Sequence, residues 1–304
     1  MQIFDVHILG CGSAMPTARH KPSSQVVDLR DKLLMLDCGE GTQEQWRRTG
    51  LSWMKLGHVF ISHAHGDHVF GLPGMISTMG LLGRTAGLHV FGPETLRPFM
   101  DCVLQSFCDH LSYEVTFTAI DTSKHEVVFE DRSMKVWSLP LRHRVPCAGY
   151  LIEEKPGLPH IRREMIDFYN VPTWAINRIK QGDDWIADDG TVVPHERLTS
   201  PADPVRRYAY CSDTMYSPQL AQWLDGVDLL YHEATYATGE KARADKHGHS
   251  TAAEAAALAI KANVKKLMIG HFSARYDDEQ LLLDEAKAIF PNTLLAKEGL
   301  VVKV

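Results

Sequence analysis

A chain of 304 residues is long enough to bury a large core, and 44% hydrophobic with 23% charged residues is the balance of an ordinary globular protein. No apolar run approaches the roughly 18 to 20 residues of a bilayer span. The start, Met1 to Leu9, carries no basic stretch and interrupts its apolar run with Asp5 and His7, so no membrane segment or signal peptide is expected and the expected location is cytoplasmic. A net charge of −6 excludes nucleic-acid binding through a uniformly basic surface and leaves only local basic patches for such a role.

In chain order, strand patterns fall at Gln2 to Leu9, Lys32 to Leu36, His58 to Ser62, His89 to Phe91, Met134 to Ser138, Tyr208 to Ser212, Leu229 to Tyr231 and Lys266 to Ile269. Helix patterns alternate with several of them, at about Thr42 to Arg48, Leu72 to Leu82, Glu94 to Phe107, Pro218 to Leu224, Thr251 to Ala262 and Asp278 to Ile289. This alternation predicts an α/β fold with layers of helix and sheet. The interval from Glu153 to Arg207 departs from it. Rich in proline and charge, with one helix-like stretch near Ile161 to Tyr169, it reads as an arm inserted into a single domain spanning residues 1–304.

Six cysteines, Cys11, Cys38, Cys102, Cys108, Cys147 and Cys211, form no CxxC pair and are too sparse to staple a chain of this size, so reduced and mostly buried thiols are expected. Sixteen histidines are many for this length, and their placement points to metal chemistry. The run His63-Ala64-His65-Gly66-Asp67-His68 follows an apolar strand directly, and the small residues Ala64 and Gly66 let imidazoles and carboxylate converge. More ligands are expected where later strands end, at His143, Asp213 and His271, because functional groups in layered α/β folds gather outside the carboxyl ends of strands.

HxHxDH followed by His, Asp and His at strand ends resembles the metallo-β-lactamase superfamily. The segment from Leu139 to Tyr150, with Ser212-Asp213-Thr214 and Gly270 to Tyr276, narrows the resemblance to the ribonuclease Z family, as do His232-Glu233-Ala234-Thr235 and His249-Ser250-Thr251. The resemblance implies a four-layer αββα sandwich with a projecting arm. It implies two divalent metal ions, zinc with manganese or magnesium as alternatives: His63, His65 and His143 on one, Asp67, His68 and His271 on the other, and Asp213 bridging. Asp67 would also act as base or orienter for the attacking water, while Glu233 would orient His249, which gives the leaving oxygen its proton. Thr251 and Glu254 have capping-box spacing, which places His249 just before a helix N-terminus, where an anion is favoured.

The expected reaction is endonucleolytic hydrolysis of precursor tRNA beyond the discriminator base, leaving a 3′ hydroxyl. The expected assembly is a homodimer whose arms, through Arg162, Arg163, Arg178 and Lys180, grip tRNA phosphates. The small-residue loop from Leu9 to Ser24 has His20-Lys21 where the family carries Arg-Asn, and the arm has Thr173-Trp174 where it carries Gly-Pro. Two rivals remain: a phosphodiesterase acting on small molecules or cyclic nucleotides, and an RNA-binding protein without catalysis.

Overall fold

The computed structural model describes residues 2–108 and 110–304. These form two compact units, one of residues 2–153 with 206–304 and one of residues 154–205.

In the larger unit, the first strands are β1 (Phe4–Gly10), β2 (Ser24–Leu29), β3 (Lys32–Cys38), β4 (Leu56–Phe60), β5 (Leu88–Pro93) and β6 (Val115–Ile120). Helices α1 (Thr42–Thr49), α2 (Gly66–Val69), α3 (Leu72–Leu81) and α4 (Arg97–Phe107) lie between them in the chain. Strands β7 (Val127–Glu130), β8 (Met134–Pro140) and β9 (Ala148–Glu154) precede the excursion. Within it are β10 (His160–Ile161), α5 (Arg163–Phe168), α6 (Thr173–Lys180), β11 (Trp185–Ile186), β12 (Val192–Val193), α7 (His195–Leu198) and β13 (Thr199–Ser200). After it come β14 (Arg207–Cys211), α8 (Ala221–Leu224), β15 (Leu229–Glu233), α9 (Lys241–His247), α10 (Ala252–Lys261), β16 (Leu267–Gly270), α11 (Gln280–Ile289), β17 (Thr293–Leu295) and β18 (Val301–Lys303).

Two seven-stranded sheets result, ordered β18-β1-β2-β3-β4-β5-β6 and β17-β16-β15-β14-β9-β8-β7. Alternation along each strand sorts side chains into different layers. On β3, Leu34 and Leu36 join a core that also holds Tyr150, Ile152 and Tyr208 of the second sheet, whereas Leu33 and Met35 join a core with Trp46 of α1, Met75 and Met79 of α3 and Met100 of α4. Beyond the second sheet, Ala-rich α10 packs on β15 and β16. Its Ala255, Ala256 and Ala259 are fully buried, and such small side chains allow close approach to the sheet and to α11. The larger unit is therefore an αββα sandwich.

Within the sheets, β3 to β6 run parallel, as do β14 to β17. Their carboxyl ends are where the candidate ligands lie. Strand β15 is buried along its whole length, as a central parallel strand covered on both faces must be, yet it ends in His232 and Glu233. Buried polar groups at that position require partners.

Several strands, β2, β6, β7, β9, β17 and β18, lie outside the sequence expectation. In β9 the reason is Gly149: a β-carbon there would stand 2.5 Å from the Tyr210 carbonyl oxygen, so the strand needs a residue that weakens its own sequence signature. The smaller unit holds three helices where one was expected. Pro172 and Pro194 are the extended N-cap residues of α6 and α7. The unit has its own apolar cluster of Ile166, Val171, Ala175, Ile179, Val193 and Leu198.

Candidate metal centre

Strand β4 delivers the chain to His63, and α2 begins at Gly66, so Asp67 and His68 occupy its first turn. His143 follows β8, Asp213 follows β14, and His271 comes directly after β16 with φ +60, a left-handed conformation costly for a residue with a β-carbon. The fold brings all seven together. His63, His65, His143 and Asp213 offer donor atoms within 4.8 Å of one another, and so do Asp67, His68 and His271. Asp213 faces both sets: Oδ2 lies 3.6 Å from His63 Nε2 and 3.8 Å from His143 Nε2, and Oδ1 lies 3.1 Å from His271 Nε2 and 3.4 Å from His68 Nε2.

Hydrogen bonds behind the imidazoles decide which nitrogen is available. His143 Nδ1–H donates to the Gly248 carbonyl (2.8 Å) and His68 Nδ1–H to Asp37 Oδ2 (2.7 Å). The Thr235 hydroxyl donates to Glu233 Oε2, so its oxygen accepts from His271 Nδ1–H at 2.8 Å. Each neutral ring then carries a bare Nε2. Nε2 of His68, His143 and His271, together with Asp213 Oδ1, are buried atoms without hydrogen-bond partners. Lone pairs that converge in a buried space repel unless a cation lies among them, so the donor set fits divalent metal ions bound by imidazole and carboxylate.

Electrostatics agree. Burial, then the neighbouring His68 and His143, holds the His63 pKa well below its usual value and keeps the ring in its ligating, neutral form. At His68 burial acts the same way, but Asp213, Asp67 and Asp37 outweigh it and push the pKa well above the usual value. The pocket demands positive charge.

Asp37 was not singled out by sequence reasoning. Fully buried at φ +55, it accepts from Ser62 N–H (2.7 Å), the Ser62 hydroxyl (2.8 Å) and the Tyr210 hydroxyl (2.7 Å) while holding His68. An acid closing the apolar run Leu33-Leu34-Met35-Leu36 was the available signal. Thr235, quoted above only as part of the His232 to Thr235 motif, stands behind His271 in the same way.

Glu233 sits at the end of β15 and holds His249 Nδ1 at 2.9 Å, while accepting from Thr214 N–H, Thr235 N–H and the Thr235 hydroxyl. Burial pushes the carboxyl up, yet His249, His271 and the Thr214 N–H bring it below the usual carboxylate value. In turn burial lowers His249, and the Glu233 carboxylate outweighs this, raising it to about 9. His249 stands between Gly248, the left-handed C-cap of α9 (φ +78), and Thr251, whose hydroxyl and Glu254 complete the capping box of α10. A β-carbon at Gly248 would lie 2.8 Å from His143 Nδ1, so glycine is required where this backbone meets the ring.

The first loop touches the cluster through Ala14 N–H, which donates to Asp67 Oδ2 at 2.7 Å. His20 turns the other way: its Nδ1 is 3.0 Å from Glu298 Oε2 and its Nε2 3.2 Å from Glu279 Oε1. His232 is buried and belongs to neither ligand set. All six cysteines are free thiols, five of them buried and Cys102 exposed. Of the basic residues of the smaller unit, Arg178 pairs with Asp183 at 2.8 Å. Among the described residues no helix is long and apolar enough to cross a membrane.

The model of a family described as Anti-Pycsar protein Apyc1 matches residues 4–146. The Ribonuclease Z of Bacteroides fragilis (strain YCH46) is 56% identical over 304 residues, covering 100% of both chains. Among solved structures, human tRNase Z, short form (ELAC1), superposes with a TM-score of 0.68 at 23% identity, covering 98% of each chain. The metallo-β-lactamase fold protein YhfI from Bacillus subtilis gives 0.70 at 18% identity, covering 99% of each. These two likenesses establish the fold, and the full-length identity establishes the family: the chain belongs to the ribonuclease Z family, on a metallo-β-lactamase fold.

Proposed function

We propose that this protein is a metal-dependent endoribonuclease that cuts precursor tRNA 3′ of the discriminator base, leaving a 3′ hydroxyl on the tRNA. The observation that carries the chemistry is Asp213, which turns one oxygen to each of two imidazole-rich sets, in which Nε2 of His143 on one side and of His68 and His271 on the other lack partners. We assign His63, His65 and His143 to one divalent ion and Asp67, His68 and His271 to another, with Asp213 between them and zinc as the ion. When bound, such a pair neutralises the phosphodiester and activates water.

The chain's own residues supply the rest. Asp67, steadied by Ala14 N–H, serves as base or orienter for the attacking water. Glu233 fixes His249 through Nδ1, which leaves Nε2–H to protonate the departing 3′ oxygen as the P–O3′ bond breaks; the trailer keeps the phosphate. Family membership over the full chain supports tRNA as the substrate, residues 153–207 as the arm that holds it within a single-domain protein, a homodimer and a cytoplasmic location.

The test is cleavage of a 3′-extended precursor tRNA with product ends mapped. Wild-type protein should cut after the discriminator base, and Asp67→Ala and His249→Ala should each lose at least about a hundredfold in rate. Deleting residues 153–207 should abolish tRNA cutting but spare a small chromogenic diester. Turnover of the diester by wild-type protein that leaves the precursor uncut would favour a small-molecule phosphodiesterase instead.

A further inference from the structure

Phe70 is a large aromatic side chain left 63% exposed beside a buried metal-ligand cluster. Its place is set by the backbone. Phe70 N–H closes the α2 turn on the Gly66 carbonyl at 2.9 Å, and the ring covers Gly66 so closely that a β-carbon there would collide with three ring atoms. The ring is thus braced against the metal-ligand loop from behind while much of its surface remains open. It lines a cleft of about 440 Å³ that also includes His65 and Asp67 of the two ligand sets, Pro16 and Pro22 of the first loop, and Arg144. Arg144 is exposed, one residue beyond His143, and makes no ion pair among the described residues.

Each of these features is costly or idle in the protein alone and useful to a nucleotide. An exposed ring forgoes the burial that phenylalanine otherwise gains, and a rigid aromatic surface offers stacking to any nucleobase. A guanidinium in the same cleft offers a charge-assisted fork to a phosphate. Its volume is ample for one base, and Asp67 at its edge ties it to the reacting centre. We propose that this cleft is a nucleobase subsite in which Phe70 stacks the base of a nucleotide flanking the scissile phosphodiester and Arg144 contacts the backbone phosphate of that nucleotide. The subsite rests on the endoribonuclease reading above. It adds a residue that touches substrate without touching metal, and it selects by the presence of a base rather than by its identity.

The experiment uses precursor tRNAs carrying an abasic ribose at the nucleotide before or after the cleavage site, compared with the intact precursor. With wild-type protein, one of the two abasic substrates should lose about tenfold in kcat/KM. Phe70→Ala should lose about as much on the intact precursor and show no further loss on the abasic one, while Phe70→Trp should restore both rate and base dependence. Metal content and tRNA affinity of Phe70→Ala should match wild type; if its metal content falls, Phe70→Leu, which keeps the contact with Gly66 but not the aromatic face, takes its place. Wild-type indifference to both abasic substitutions overturns the subsite, as does an undiminished abasic effect in the Phe70 variant. No cutting of the intact precursor by wild-type protein would instead refute the endoribonuclease reading.

Discussion

The first half of the larger unit brings its candidate ligands in one run of six residues, His63 to His68, whereas the second half gathers His143, Asp213 and His271 from three separate strand ends. Both halves use the same device, a donor just beyond an apolar strand with a second residue behind it: Asp37 behind His68, Thr235 behind His271. They differ in the charge of that second residue. A contiguous motif needs only one turn to be correct, while a dispersed set needs the register of a whole parallel sheet.

Asp213 joins the halves, so replacing it should do most damage. Asp213→Ala should lower bound metal in both sets, measured by elemental analysis, and reduce precursor cleavage more than about a thousandfold, on the scale seen when groups that act as a unit lose a member. Loss of metal from one set alone would show that the halves are independent.

Smaller effects are expected behind the ligands. Asp37→Asn and Thr235→Val should each weaken metal binding or activity by about 10- to 100-fold. The aspartate variant should be the worse of the two, because a charged acceptor is lost from a fully buried site. Equal losses, read by competition with a chelator, would dissolve the distinction between the halves.

The smallest effect belongs to the first loop. Hydrogen bonding to Glu298 raises the His20 pKa above its ordinary 6.5, and Glu298, although pushed up by burial, is lowered below its ordinary 4.5. The His20 contribution is fully present below pH 6.5 and fades as pH rises through its raised value. The Glu298 contribution is present above pH 4.5 and fades as pH falls through its lowered value. His20→Gln should therefore lower the urea midpoint most near pH 5 to 6 and least in alkaline solution. A difference independent of pH would assign the loss to packing.

The same contrast explains what was legible in advance. His63 to His68 speaks for itself, since four donors within six residues have few other uses. His143, Asp213 and His271 could be proposed from strand ends, but their grouping into two sets came from family resemblance, because sequence separation says nothing about which strands are neighbours. Asp37 escaped notice because an acid before Cys38-Gly39-Glu40-Gly41 looks like a solvated turn; only the packing of Tyr210 and Ser62 around it reveals a buried carboxylate. In the excursion, helices of eight residues or fewer starting at prolines left too short a periodic signal.

Strand β3 has one further property. Leu33, Leu34, Met35 and Leu36 are all buried, on opposite faces, so sliding the strand by one position would exchange one apolar side chain for another of similar bulk. Hydrophobicity alone is nearly blind to that error. Asp37 is not, because a shift would withdraw its carboxylate from Ser62, Tyr210 and His68 and strand it among apolar neighbours. The polar residue that holds His68 is thus also the bolt that locks the alignment of an otherwise slippery strand.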